Sequence, residues 1–178
     1  DFETLTADAI PATSYKPAGD RTKYDRDYTQ WEGNRARDHY RLAWRMMAAN
    51  TGERTLIPAL IPPGAAHTHG VSAVATTSGR DLVLVAAATG SLILDFALRA
   101  APKATIQFST LGRLPAPPRS HPLASALLLR TLRLNCLTDA YADLWGECWS
   151  DDFRNDHWTT TDHVFTDLGA VEPAWSAA

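Results

Sequence analysis

Residues 40–46 alternate without a break, with Tyr40, Leu42, Trp44 and Met46 on one side and Arg41, Ala43 and Arg45 on the other. A period of two is the signature of a β-strand with one buried face. A helix over 36–49 competes, because "RLAWRMMAA" is built of good helix formers, but the alternation favours the strand. The segment "ANTGE" supplies turn chemistry, and "RTLIPALI" follows as a second apolar run, so 40–61 is expected to form a hairpin. Pro58 lacks the N–H that a central strand must donate, which assigns the second run to an edge or a bulge.

The remaining chain divides by composition. Residues 1–39 are polar, carry charges of both signs and show no period, so an irregular N-terminal segment is expected, with Tyr15, Tyr24, Tyr28 and Trp31 as anchors. "PPGAAHTHG" reads as a loop. Residues 81–99 are apolar at helical length, with Ser78 or Asp81 as cap and Arg99 at the C-terminal end. "KATIQFS" at 103–109 predicts a short strand, followed by a proline-rich loop. Helices are expected over 121–136, with Leu123, Leu127, Leu134 and Leu137 inward and Arg130 and Arg133 outward, and over 139–149, with Thr138 as N-cap. The expected class is α+β: a small, mostly antiparallel sheet packed with several helices and a helical C-terminal part. The expected organisation is an irregular segment over 1–39, a core over 40–120, and a helical, acidic part of the same domain over 121–178.

Six Trp and 45% hydrophobic residues give 178 residues enough apolar surface for one core. No apolar run reaches the roughly 18 residues of a membrane span, and no signal peptide is visible. A start at Asp1 in place of Met is read as an excised piece of a longer protein. Cys136 and Cys148 stand outside any CxxC unit and are expected as a reduced, buried pair in a cytoplasmic protein.

The net charge of −3 conceals a split. Residues 16–133 carry 16 basic and 8 acidic side chains, whereas residues 134–178 carry one basic and 9 acidic. Such asymmetry predicts a basic side and an acidic side. Arginines outnumber lysines 14 to 3, a balance suited to planar recognition of phosphate or guanine and equally to a GC-rich genome.

Self-contained catalysis finds little support in the motifs. There is no GxSxG elbow, no GxGxxG and no GxxxxGK[ST]. His67 and His69 form a possible metal pair without two further ligands at suitable spacing. Asp151, Asp152 and Asp156 lack the glycine and the terminal glutamate of a calcium loop. The basic residues are more informative. Arg41 and Arg45 share one strand face about 13 Å apart at about 3.3 Å per residue, and Arg54 opens the paired strand. Lys103, Gln107 and Arg113 follow as a second polar cluster. Arginine reads guanine and glutamine reads adenine in a bidentate manner, so both clusters are candidates for DNA contact. The competing assignment for the arginines is ion pairing with Asp38, Glu53 and Asp95.

The order of these segments resembles the C-terminal part of bacterial adenine-N6 DNA methyltransferases with a TaqI-like specificity domain, found in restriction-modification and phage-defence systems. "YRLAWRMMAANTGERTLIPALIPPG" is similar to the family's arginine-bearing strand, turn and "ERTLIAA-IPP"-like strand. "LILDFALR" at 92–99 matches its "FDFLLR" helix, and "TIQFSTLGRLPAPP" matches the short strand before its "LPVP" loop. "LRLNCLTDAYADLW" resembles a helical stretch of the large phage-defence members. The resemblance spans about residues 38–150. Where family members approach the loop with a Gly-Gly-Thr-His-Leu-Asn-like segment, this chain has "APKATIQFS".

The resemblance implies a target recognition domain that grips double-stranded DNA, with Arg41, Arg45, Arg54, Lys103, Gln107 and Arg113 at the contact. Methylation would fall to a separate catalytic domain of the same polypeptide, which flips the adenine and uses S-adenosylmethionine. The catalytic Asn/Asp-Pro-Pro-Tyr/Phe motif and the glycine-rich cofactor loop are absent here. "IPPG" lacks the amide or carboxylate that would accept from the adenine amino group. The chain is therefore expected to be non-catalytic by itself, with no cofactor or metal of its own. Two alternatives remain open at this point: a protein-interaction or scaffold module anchored by the Trp-rich tail, and a metal hydrolase built on His67 and His69.

Overall fold

The alternating segment forms the middle of the sheet. In the structure, a computed structural model that describes residues 6–9, 18–49, 51–101, 103–157 and 171–176, strand β3 (Arg41–Arg45) lies between β4 (Pro58–Ile61) and β5 (Val71–Val74), both antiparallel to it. Leu42 pairs with Leu60 on one side and Val74 on the other, and Trp44 pairs with Pro58 and Ser72. The expected hairpin over 40–61 is present. Pro58 sits at the first position of an edge strand, where its missing N–H leaves no gap in the ladder. The outer edge of β4 is closed by side chains: Leu60 N–H donates to Asn135 Oδ1 at 3.0 Å, and Tyr141 Oη donates to Leu60 O at 2.9 Å. An edge satisfied in this way offers no template for another strand.

Leu42 and Trp44 turn toward the helices and, with Leu56, Leu60, Leu82, Val83, Leu129, Leu132, Leu144 and Phe153, form the core. Trp44 is 2% exposed, and its indole N–H donates to Ile106 O at 2.8 Å. Trp44→Phe keeps most of the apolar volume but strands that carbonyl. It is expected to cost about 1–3 kcal/mol, read from the shift of the urea midpoint at unchanged m-value.

The apolar stretch expected as one helix over 81–99 is two. Helix α2 (Gly79–Gly90) and helix α3 (Leu92–Ala100) meet at a 60° bend. Ser78 caps α2, accepting from Asp81 N–H. Ser91 caps α3 in the same way, accepting from Leu94 N–H at 3.3 Å. The Thr-Gly-Ser sequence at the bend thus supplies a stop and a fresh N-cap. No helix among the described residues is long and apolar enough to cross a membrane.

Three further expectations change. Residues 103–109 form no ladder strand: an isolated antiparallel bridge joins Thr105 to Met47, and a short helix α4 (Phe108–Leu111) begins at once. Helix α5 (Ala124–Asn135) packs against α2 and buries Ala124, Leu128, Leu129 and Leu132, while Leu123 and Leu134 are 59% and 78% exposed. With leucine at so many positions of "LASALLLRTLRL", periodicity admits more than one inward face, and packing against α2 selects another than the one expected. The 139–149 helix begins as a 3-10 turn (Asp139–Tyr141) and continues as α6 (Ala142–Cys148), with no side-chain cap from Thr138. Cys136 and Cys148 are free and buried, as expected, and burial pushes both thiols up to about 12.

The N-terminal segment is more regular than its polarity suggests. Asp20 caps helix α1 (Arg21–Asp27). Strands β1 (Gln30–Trp31) and β2 (Asn34–Arg35) form a tiny hairpin whose Glu32 and Gly33 both have positive φ, at 48° and 78°. That is the geometry of a primed two-residue turn. The buried guanidinium of Arg37 lies against the rings of both Tyr24 and Tyr28, which meet edge-to-face, and also pairs with Asp25. Tyr15 lies outside the described residues.

Candidate nucleic-acid interface

The six polar candidates separate by burial. Arg41 is 3% exposed, so it is a buried residue and not a surface cation. Its Nε donates to His39 O at 3.2 Å, and its Nη2 donates to Ala65 O. Burial pushes the guanidinium below the usual arginine range, with Tyr28 acting in the opposite direction. Arg41 ties the central strand to the loop after β4, and the N-terminal segment closes over it through Gly64 N–H bonded to Arg37 O at 2.7 Å. Arg54 is half-buried and likewise engaged: Nη2 donates to Gly90 O at 2.9 Å and Ser91 O at 3.3 Å, and Nε lies 3.6 Å from Asp95 Oδ2. It completes the C-terminal end of α2. The pairing of Arg54 with Asp95 is the alternative left open by the sequence.

Arg45, Lys103, Gln107 and Arg113 are exposed. The Met47–Thr105 bridge brings most of them together. It is flanked by Ala48 N–H bonded to Ala104 O at 3.1 Å and Ile106 N–H bonded to Met46 O at 2.7 Å. The bridge sets the 103–107 segment beside the chain just past Arg45, across a bend at Met46. Ile106 is 1% exposed and anchors the segment, whereas Lys103, Ala104, Thr105 and Gln107 around it are exposed. Arg113 follows two residues beyond α4. Arg45 and the 103–107 segment, separate in the sequence, are therefore neighbours, an exposed polar strip that Arg113 follows along the chain.

What distinguishes this strip is that its side chains have no partner among the described residues. Nine arginines elsewhere among the described residues form ion pairs, including Arg37 with Asp25, Arg119 with Asp81 and Arg130 with Asp156. No hydrogen bond or ion pair within the described residues engages the side chains of Arg45, Lys103, Gln107 or Arg113. Exposed cations without a carboxylate partner among the described residues are suited to a polyanion.

Two residues of the strip escape a charge-based reading. Met47 is 69% exposed and Phe108 is 62% exposed, at the bridge and next to Gln107 respectively. Alternation places Met47 in phase with Arg45, but its apolar side chain carries no charge to mark it, and Phe108 looks from sequence like a core residue.

The residues of the other candidate sites lie elsewhere on the fold. His67 and His69 are exposed on the loop before β5, and no group of three or more His, Cys, Asp or Glu among the described residues is placed to hold a metal. Asp151 and Asp156 pair with Arg154 and Arg130, and Asp152 accepts from Ser125 Oγ. The described tail tryptophans are turned inward: Trp145 donates to Glu172 O, Trp175 donates to Cys136 O, and Trp149 packs edge-on against Phe153, while Trp158 lies outside the described residues. No protein-family model, curated protein or solved structure matches the chain.

Proposed function

We propose that the chain is the DNA-binding target recognition domain of a cytoplasmic adenine-N6 DNA methyltransferase of the restriction-modification or phage-defence kind. It does not methylate by itself; a catalytic domain of the same polypeptide carries S-adenosylmethionine and the chemistry. The observation that carries the reading is that Arg45, Lys103, Gln107 and Arg113 are exposed without a side-chain partner among the described residues, where the other arginines are largely paired. The cations hold phosphates, and Gln107 supplies the donor and acceptor that match an adenine edge. Arg41 and Arg54 serve the fold behind the strip.

Salt dependence tests this. Three cations neutralising about three phosphates give a slope of about −2.7 for log K against log[salt], measured by anisotropy of a labelled duplex at low salt and high protein concentration. Arg45→Glu with Lys103→Glu is expected to abolish binding, or to leave a slope of about −1, at an unchanged circular dichroism spectrum. Binding that ignores both salt and the double reversal would sink the proposal.

A second reading, a protein-interaction module, draws on α3. Asp95 and Arg99 turn inward, so the helix presents Leu92, Ile93 and Phe96 to solvent at 72%, 79% and 70% exposure. A partner bound on that face is indifferent to salt and sensitive to Phe96→Asp, the reverse of the pattern expected for the strip.

A further inference from the structure

The strip is not purely polar, and its two apolar members are placed where a nucleic acid's own apolar surface would arrive. Met47 and Phe108 are large apolar side chains left mostly exposed, at 69% and 62%. Met47 is held at the bridge to Thr105, between Arg45 and the Lys103–Gln107 segment. Phe108 is the first residue of α4, directly after Gln107, whose extended backbone (φ −81°, ψ 163°) brings the chain to the helix start. Leaving such groups in water costs apolar burial that the core has not recovered. A protein partner for them would need carboxylates opposite Arg45, Lys103 and Arg113. Duplex DNA meets both requirements at once, with phosphates for the cations and base faces for the apolar pair.

We infer that Phe108, supported by Met47, is an apolar wedge that inserts against a base step of bound duplex DNA while the cations hold the flanking phosphates. The assignment rests on the DNA-binding reading proposed above. Contacts of this type unstack a step locally and help set which sequences are accepted, because flexible steps open more readily than stiff ones. The wedge and the cations then divide the work. The cations set the salt slope and approach, and the ring sets affinity at fixed salt and preference among base steps.

The experiment uses the full chain and mixed-sequence duplexes carrying 2-aminopurine at internal positions. Phe108→Ala is expected to weaken binding by about tenfold or more with the salt slope unchanged, because base stacking is lost and no phosphate contact is. Wild-type protein at saturation should raise 2-aminopurine fluorescence, reporting an unstacked base, and Phe108→Ala at saturation should not. Phe108→Tyr should restore both, and Met47→Ala should show an intermediate loss. Both positions are exposed, so circular dichroism and the urea midpoint should not move in either alanine variant. If wild type binds DNA with the expected salt slope but Phe108→Ala binds equally well, the wedge is wrong and the DNA-binding reading stands. If Phe108→Ala lowers the slope, the ring acts through the cations and the wedge is again wrong. If wild type shows no salt-dependent DNA binding, both fall together.

Discussion

Asp95→Ala is expected to destabilise the fold by about 3–5 kcal/mol, enough to unfold much of a marginally stable domain. The carboxylate is 5% exposed. Its Oδ1 accepts from Thr55 N–H at 2.8 Å and from Leu56 N–H at 2.7 Å, two backbone donors with no strand partner. Its Oδ2 faces Arg54 at 3.6 Å and Arg99 at 3.8 Å, and Arg99 continues to Gly52 O and Glu53 O, both at 2.9 Å. One side chain on α3 thus organises the whole 52–56 segment that leads into β4. Removing it strands two donors and leaves two half-buried cations side by side. Asp95→Asn keeps one acceptor and loses the charge, so its cost should be smaller.

The same residue sets a pH dependence. Burial opposes its charge, but the Leu56 and Thr55 N–H groups and the Arg54 and Arg99 guanidiniums outweigh burial, so its carboxyl lies below the usual carboxylate range. A depressed folded pKa stabilises the protein fully above the unfolded value, near 3.9, and that contribution is lost as pH falls through the folded value. Wild-type stability should therefore drop more steeply below about pH 4 than that of Asp95→Asn. Urea midpoints across pH 2.5–6 would measure this, and parallel curves for the two proteins would overturn the assignment.

Arg41→Glu and Arg45→Glu are expected to behave oppositely although the two arginines share one strand face. At position 41 a carboxylate would be buried against His39 O and Ala65 O, acceptors that repel it, at a cost of about 3–5 kcal/mol. Arg45 is exposed and unpartnered within the described residues, so its reversal should change stability by about 0.5 kcal/mol or less. Comparable midpoints for the two variants would overturn the burial contrast. A charge-reversal test of DNA binding must accordingly use Arg45 and leave Arg41 intact, since loss of binding in an unfolded Arg41 variant says nothing about DNA.

The legible and illegible parts of the sequence differ in the range of the forces involved. Alternation over 40–46 revealed β3 because period two is local, and Pro58 marked an edge because a missing N–H is a property of one residue. The bend at Ser91 was also locally encoded, in Thr-Gly-Ser, but a longer apolar run masks it. By contrast, α5 carries leucines around much of its circumference, so only the neighbouring α2 defines which are inside. The 103–109 segment has strand-like residues, yet a single bridge to Met47 satisfies it and α4 starts immediately.

The candidate site divides along the same line. The residue types, and the two clusters in which they fall, are properties of the sequence, as is the excess of basic side chains before residue 134. The sequence alone also determined the strand, its edge partner and the buried thiols, because each follows from local period, backbone chemistry or side-chain apolarity. Tertiary structure decided which arginines are free. Asp95 claims Arg54 from across the chain, the loop after β4 encloses Arg41, and the Met47–Thr105 bridge carries Lys103 and Gln107 to Arg45. An arginine's role depends on the nearest acceptor in space, and sequence spacing does not report that distance.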